Sequence, residues 1–182
     1  RTHTVTNILG EERTYVLGFN TGTASLHAAM YAVGVGVGDE IICPSITYWA
    51  SALQTFSMGA TVVFADILPD TLCIDPDDIE HRITEHTKAI MIVHYLGYPA
   101  EMDEIMEIAD RHGIPVLEDV SHAHGGLYKG RRVGNFGKAS AMSLMSGKSL
   151  PIGEGGMLVT DNRDVYERAV AFGHYRRFDD SI

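Results

Sequence analysis

The stretch SLMSGKSLPIGEGG, residues 143–156, sets a single lysine, Lys148, among small and apolar residues in a chain whose charge balance is acidic. Two chemistries place a lysine this way, and they belong to different folds. One is a phosphate loop, in which Gly-Lys-Ser cradles a nucleotide ahead of a helix. The other is a Schiff-base lysine, whose amine must be reachable and readily deprotonated. Gly147-Lys148-Ser149 matches the end of the phosphate-loop pattern, but the first glycine of that pattern falls on Met142. Leu150, Pro151, Ile152 and Gly153 follow where a helix must begin, and Pro and Gly are poor helix formers. The phosphate-loop reading therefore fails on both sides of the lysine.

Outward from this stretch the chain alternates short apolar runs with helical patterns. The runs are 15–19, 40–43, 61–65, 89–93, 114–118, 139–144 and 157–160, and helices are expected over 24–33, 48–58, 76–83, 101–112 and 163–172. Apolar strands separated by helices predict an α/β fold with a seven-stranded, mostly parallel sheet buried on both faces. Gly34, Gly59 and Gly113 punctuate the helix ends. Residues 34–40, GVGVGDE, imitate a dinucleotide-binding glycine pattern, yet they follow a helix and precede a strand, the reverse of the required order. Residues 121–138 are rich in Gly and polar groups and read as a long excursion with a hairpin around YKGRRVG.

A Schiff-base cofactor such as pyridoxal phosphate asks for three further things: an acid beside the pyridine nitrogen, an aromatic face and phosphate donors. FNTGTASLHAAM, residues 19–30, runs from a strand through Thr21-Gly22-Thr23 into a helix, whose unpaired first N–H groups and dipole suit an anion. A plain N-cap at Thr21 or Thr23 explains the same residues. Asp119 stands at the end of a strand, where open α/β sheets bind ligands, and can pair with a pyridine nitrogen or act as a loop acid. Tyr48 follows a strand and can lie over a ring, or it and Trp49 can serve packing alone. His122, three residues past Asp119, can reach the phenolic oxygen, and Ser143 can add a phosphate donor. His94, His122 and His124 admit a metal site, although their spacing fits one poorly.

Taken in order, TGTASLHAAM, GVGVGDEIICPSITYWASA, GATVVFAD, IDPDDIEHRITEHTKAIMIVHYLGYPAEMDEI, HGIPVLEDVSHAHGGLYKGRRVGNFG and MSLMSGKSLPIGEGGMLVT resemble the pyridoxal-phosphate sugar aminotransferases of the DegT/DnrJ/StrS type. The resemblance covers nearly the whole chain. It implies fold type I, a three-layer α/β/α large domain. It implies Lys148 as the Schiff-base lysine and Asp119 as the nitrogen partner, Tyr48 over the ring and His122 near the phenolic oxygen. Gly22, Thr23 and Ser143 fall at phosphate-binding positions. Glutamate or glutamine is the implied amino donor and a nucleotide-linked keto sugar or a cyclitol the acceptor, in polysaccharide or antibiotic sugar biosynthesis. A homodimer whose partner chain completes the site is implied as well. A sister group that dehydrates sugars carries His in place of the lysine, so Lys148 favours amino transfer. A non-catalytic cofactor-binding module is the alternative from another class. Family chains are longer at both ends, so residues 1–182 read as a truncated cofactor-binding domain without its small C-terminal domain.

Composition sets the outer bounds. The 182 residues carry 24 acids against 14 bases, a formal charge of −10, which argues against a nucleic-acid binder. No apolar run approaches the ~20 residues of a membrane span, and the N-terminus lacks a charged-then-apolar leader pattern. The chain has no start methionine, which reads as a beginning inside a longer protein. Cys43 and Cys73 are too few for a disulfide framework and read as reduced thiols of a cytoplasmic protein.

Overall fold

The structure, a computed structural model, describes residues 5–6, 12–13 and 15–173. Residues 174–182, which carry the reading of a truncated chain, lie outside the described residues, as do most of residues 1–14, read above for a leader. Val5–Thr6 (β1) and Glu12–Arg13 (β2) pair antiparallel. The main sheet is built from Tyr15–Phe19 (β3), Glu40–Pro44 (β4), Thr61–Ala65 (β5), Thr87–Val93 (β6), Val116–Asp119 (β7), Ala139–Ser143 (β10) and Gly156–Thr160 (β11). Its order is β3-β11-β10-β7-β6-β4-β5, and β11 alone among these seven runs against the others. Leu127–Tyr128 (β8) and Arg131–Arg132 (β9) form the expected hairpin in the long excursion. Its two-residue turn has positive φ at both Lys129 and Gly130, the twist that a tight hairpin favours.

The helices Gly22–Ala32 (α1), Ala50–Ser57 (α2), Pro76–Arg82 (α3), Met102–His112 (α4) and Arg163–Gly173 (α5) cover the sheet. Strand alternation divides the core in two. Ile41, Ala89, Met91 and Leu117 pack with α1, α2 and α5, while Ile42, Ile90, Ile92 and Val116 pack with α3 and α4. Apolar side chains on both faces of the central strands are what a doubly covered parallel sheet requires. The local signals act as expected at several ends. Asp75 caps α3 with Pro76 in its first turn, and Gly113 closes α4 in the left-handed conformation.

Boundaries depart from the sequence reading where the site begins. The first of these helices starts at Gly22 rather than residue 24, because Thr21 accepts the Ala24 N–H at 3.0 Å and is its N-cap. α2 starts at Ala50, so Tyr48 precedes the helix instead of opening it. β10 ends at Ser143, and Leu144 belongs to the loop that carries Lys148.

Candidate active site

The ends of β3, β4, β6, β7 and β10 converge on a cavity of about 430 Å³, on the side of the sheet where its parallel strands finish. Gly22, Thr23, Tyr48, Asp119, His122, Ser143 and Lys148 all line it, so the structure brings together every residue that the sequence singled out for a cofactor. Trp49 does not line it, although its ring lies 4.9 Å from that of Tyr48.

Packing fixes one end of the cavity very closely. The Thr21–Gly22 peptide is wedged between β10 and β11. A Cβ on Gly22 would lie 2.6 Å from Ser143 Cβ, and one on Gly156 would lie 2.0 Å from the Thr21 carbonyl oxygen. Ser143, Gly156 and Phe19 stand in one row across three strands. The opening turn of α1 is thereby pressed against the Ser143 end of β10, with Thr21, Thr23 and Ser143 hydroxyls at the wall. That end can receive an anion.

Lys148 sits half-buried in the loop from β10 to β11. The loop folds back on itself through Leu144 N–H to the Gly155 carbonyl (2.9 Å), Ser146 N–H to Gly153 (2.8 Å) and Ile152 N–H to Leu144 (2.9 Å). Among the described residues Lys148 is the only Lys or Arg that lines the cavity, which Asp119 and Glu154 line as well. Asp119, 5% exposed, accepts the Ser51 hydroxyl on Oδ2 at 2.8 Å and the Ser121 N–H on Oδ1 at 3.0 Å. Burial lowers the His122 imidazole below its usual range, and the Lys148 charge lowers it further against the opposing pull of Asp119. A long hydrogen bond from the Leu96 N–H meets its Nδ1 at 3.5 Å, which leaves the ring proton on Nε2.

The contacts of His94 do not offer it to a metal ion. His94 is fully buried. Its Nδ1 accepts the Ala100 N–H at 3.1 Å, so Nε2 carries the proton and donates to Glu118 Oε2 at 3.1 Å. Both ring nitrogens are thus engaged. Among the described residues no group of three or more His, Cys, Asp or Glu side chains is placed to hold a metal ion. The ring nitrogens of His124 are buried with no hydrogen-bond partner among the described residues. Burial lowers its imidazole, and the nearby Ser143 backbone, outside hydrogen-bonding geometry, counters part of that shift.

Sequence reasoning missed Ser51, Ser121, Glu118 and Tyr95. Glu118, wholly buried, accepts the N–H groups of Gly134 (2.6 Å), Phe136 (2.8 Å) and Gly137 (2.6 Å) besides His94. Burial opposes its ionisation, yet these donors prevail and hold the carboxyl below the usual range. Strand alternation was the available signal, since two successive acids on β7 must point to opposite layers.

The model of the DegT/DnrJ/EryC1/StrS aminotransferase family matches residues 5–177. The L-glutamine:scyllo-inosose aminotransferase of Streptomyces griseus is 47% identical over 150 residues, covering 82% of this chain and 35% of that protein. The GDP-perosamine synthase of Escherichia coli O157:H7 is 42% identical over 158 residues, covering 87% of this chain and 43% of that protein. The crystal structure of NtdA from Bacillus subtilis with bound cofactor PMP superposes with a TM-score of 0.81 at 31% identity, over 87% of this chain and 36% of that one. The chain therefore spans well under half the length of each of these proteins.

Proposed function

The chain belongs to the DegT/DnrJ/EryC1/StrS aminotransferase family, and from that premise we propose that it is the cofactor-binding domain of a pyridoxal-phosphate-dependent aminotransferase. The protein would move an amino group from glutamine or glutamate to a keto cyclitol or a nucleotide-linked keto sugar. The observation that carries this reading is one cavity lined by a lysine, a buried carboxylate, an aromatic ring and a helix N-terminus. Relatives named for inosose amination and perosamine synthesis support the acceptor classes. The bound PMP of NtdA, the aminated form of pyridoxal phosphate, supports the cofactor.

The residues present fit that cofactor. The donor set at the α1 end, with Gly22 and Gly156 leaving no room for side chains, suits a phosphate held by N–H and hydroxyl groups. The buried Asp119 suits a protonated ring nitrogen. When bound, pyridoxal phosphate supplies an aldehyde for the lysine amine and a ring that accepts electrons from the donor's α-carbon. Gly22, Thr23 and Ser143 would hold its phosphate and Tyr48 would lie against its ring. Asp119 would keep the ring nitrogen protonated. His122, neutral and with its proton on Nε2, would donate to the phenolic oxygen. Lys148 Nζ would take the proton lost from the donor's α-carbon and pass it to the cofactor's C4′, and in the second half of a ping-pong cycle it would move a proton the opposite way, from C4′ to the acceptor carbon.

We read the working unit as a homodimer. Trp49, Leu53 and Phe56 follow one another at i, i+4 and i+7 and remain exposed beside the cavity, an apolar stripe that a second copy would cover. The cytoplasm suits two buried free thiols, Cys43 and Cys73. Among the described residues no helix is long and apolar enough to cross a membrane.

The test is turnover by the full chain loaded with pyridoxal phosphate. Glutamine or glutamate should yield its 2-oxo acid, and keto cyclitols or nucleotide-linked keto sugars should gain an amine by mass. Formation of bound cofactor with no conversion by either donor would favour the non-catalytic module instead.

A further inference from the structure

Ser51 is wholly buried near the start of α2, and its side chain meets Asp119 of the residues that the proposed mechanism names. A buried hydroxyl has to be satisfied, and Ser51 has a single proton. The ionised carboxylate of Asp119 can only accept, so the Ser51 proton goes to Oδ2 at 2.8 Å. Its oxygen then accepts the Thr47 hydroxyl at 2.9 Å. The order of donation is therefore fixed as Thr47 to Ser51 to Asp119, and Thr47 itself lines the cavity.

We infer that Ser51, backed by Thr47, is the positioning residue that aims Asp119 at the bound ring and links it to the turn carrying Tyr48. This rests on the proposed pairing of Asp119 with the cofactor's ring nitrogen. Two donors from different segments grip the carboxylate, Ser51 from α2 and the Ser121 N–H from the loop after β7. Together they fix its rotation, while each oxygen keeps a lone pair for a further donor. Ser51 also ties back to the ring-bearing turn, because its own N–H donates to the Tyr48 carbonyl at 3.1 Å. One short strap, residues 47–51, therefore sets both the aromatic face and the carboxylate between which a planar ligand would sit. The neighbouring Cys43 thiol lies 3.8 Å from the Ser51 carbonyl. Burial, and then the Asp119 charge, push that thiol up, so it stays neutral and brings no competing anion.

The experiment is a double-mutant cycle on pyridoxal phosphate affinity in the full chain, read from the visible absorption of the bound cofactor. The variants are Ser51→Ala, Asp119→Ala, the pair together and Thr47→Val, each checked for folding by its thermal melt. Losing a hydrogen bond to a charged group should weaken binding about tenfold in Ser51→Ala. Thr47→Val, one step further out, should weaken it about threefold. In the Asp119→Ala background Ser51→Ala should change affinity less than about twofold, because nothing remains for it to position. An equal loss in both backgrounds would overturn the inference and leave Ser51 a packing residue. Unchanged affinity in Asp119→Ala alone would overturn the Asp119 reading itself, and the inference with it. If Ser51→Ala does not fold, Thr47→Val in the same cycle decides the matter by the same criterion.

Discussion

Gly22 and Ser143 stand back to back, so close that a Cβ on Gly22 would lie 2.6 Å from Ser143 Cβ and 2.7 Å from its Cα. The contact joins the first turn of α1 to the last residue of β10, the two elements proposed to hold a phosphate. Gly22→Ala should force them apart, costing about 1–3 kcal/mol by overpacking and weakening pyridoxal phosphate binding by at least about tenfold. Gly36→Ala, where nothing beyond the adjacent residues lies within 4 Å of the new methyl, should stay within about 0.5 kcal/mol. Urea melts and a cofactor titration of both variants check this, and equal behaviour of the two would contradict it.

Among the described residues, Glu118 accepts from His94 Nε2 and from the N–H groups of Gly134, Phe136 and Gly137, two donors on each oxygen. Glu118→Gln keeps the shape but turns an amide NH₂ toward N–H groups, and no rotation of that amide avoids the conflict. His94 offers no escape, because the Ala100 N–H holds its Nδ1 as an acceptor. The substitution should cost about 3 kcal/mol and speed hydrogen exchange at Gly134 and Gly137. A loss under about 0.5 kcal/mol would show that the carboxylate charge is not needed.

Acid should destabilise the protein in two steps of the same sign. His122 is held below 6.5 by burial and by Lys148. The unfolded chain takes up that proton first, so stability falls as pH drops below about 6.5 toward the lower folded value. Glu118 is held below 4.5, because its hydrogen bonds outweigh its burial. Its contribution is complete above about 4.5 and is lost as pH falls further through the folded value. In urea midpoints against pH the first step should shrink in His122→Gln and not vanish, because burial also holds His124 and His27 below 6.5. In Lys148→Ala the His122 ring, followed by NMR, should titrate at higher pH than in the parent chain.

The seven strands were legible because central strands of a doubly covered sheet are continuous apolar runs, as in AIMIV, and the half-exposed edge strand TVVFA still carries β-branched and aromatic residues, with helices between the runs. The cavity-lining set was legible because each member lies next to the end of a strand, and ligands gather at strand ends. The polar partners were not. Ser51 lies 68 positions from Asp119, and His94 lies 24 from Glu118. Such pairs are made by the order of strands in the sheet, which a pattern of apolar runs does not specify. His94 looked like a ligand candidate because a lone histidine carries no local sign of its partner. The start of α2 was misread for a related reason. Tyr48 and Trp49 suit a helix by pattern, but Ala50 is where burial begins.

The central claim is that the amine of Lys148 meets the cofactor. The most direct measurement is borohydride reduction of the full chain after incubation with pyridoxal phosphate, followed by digestion and mass mapping of the modified lysine. The account predicts a phosphopyridoxyl group on Lys148 and its loss in Lys148→Ala. An adduct confined to other lysines, with Lys148 unmodified, would contradict it.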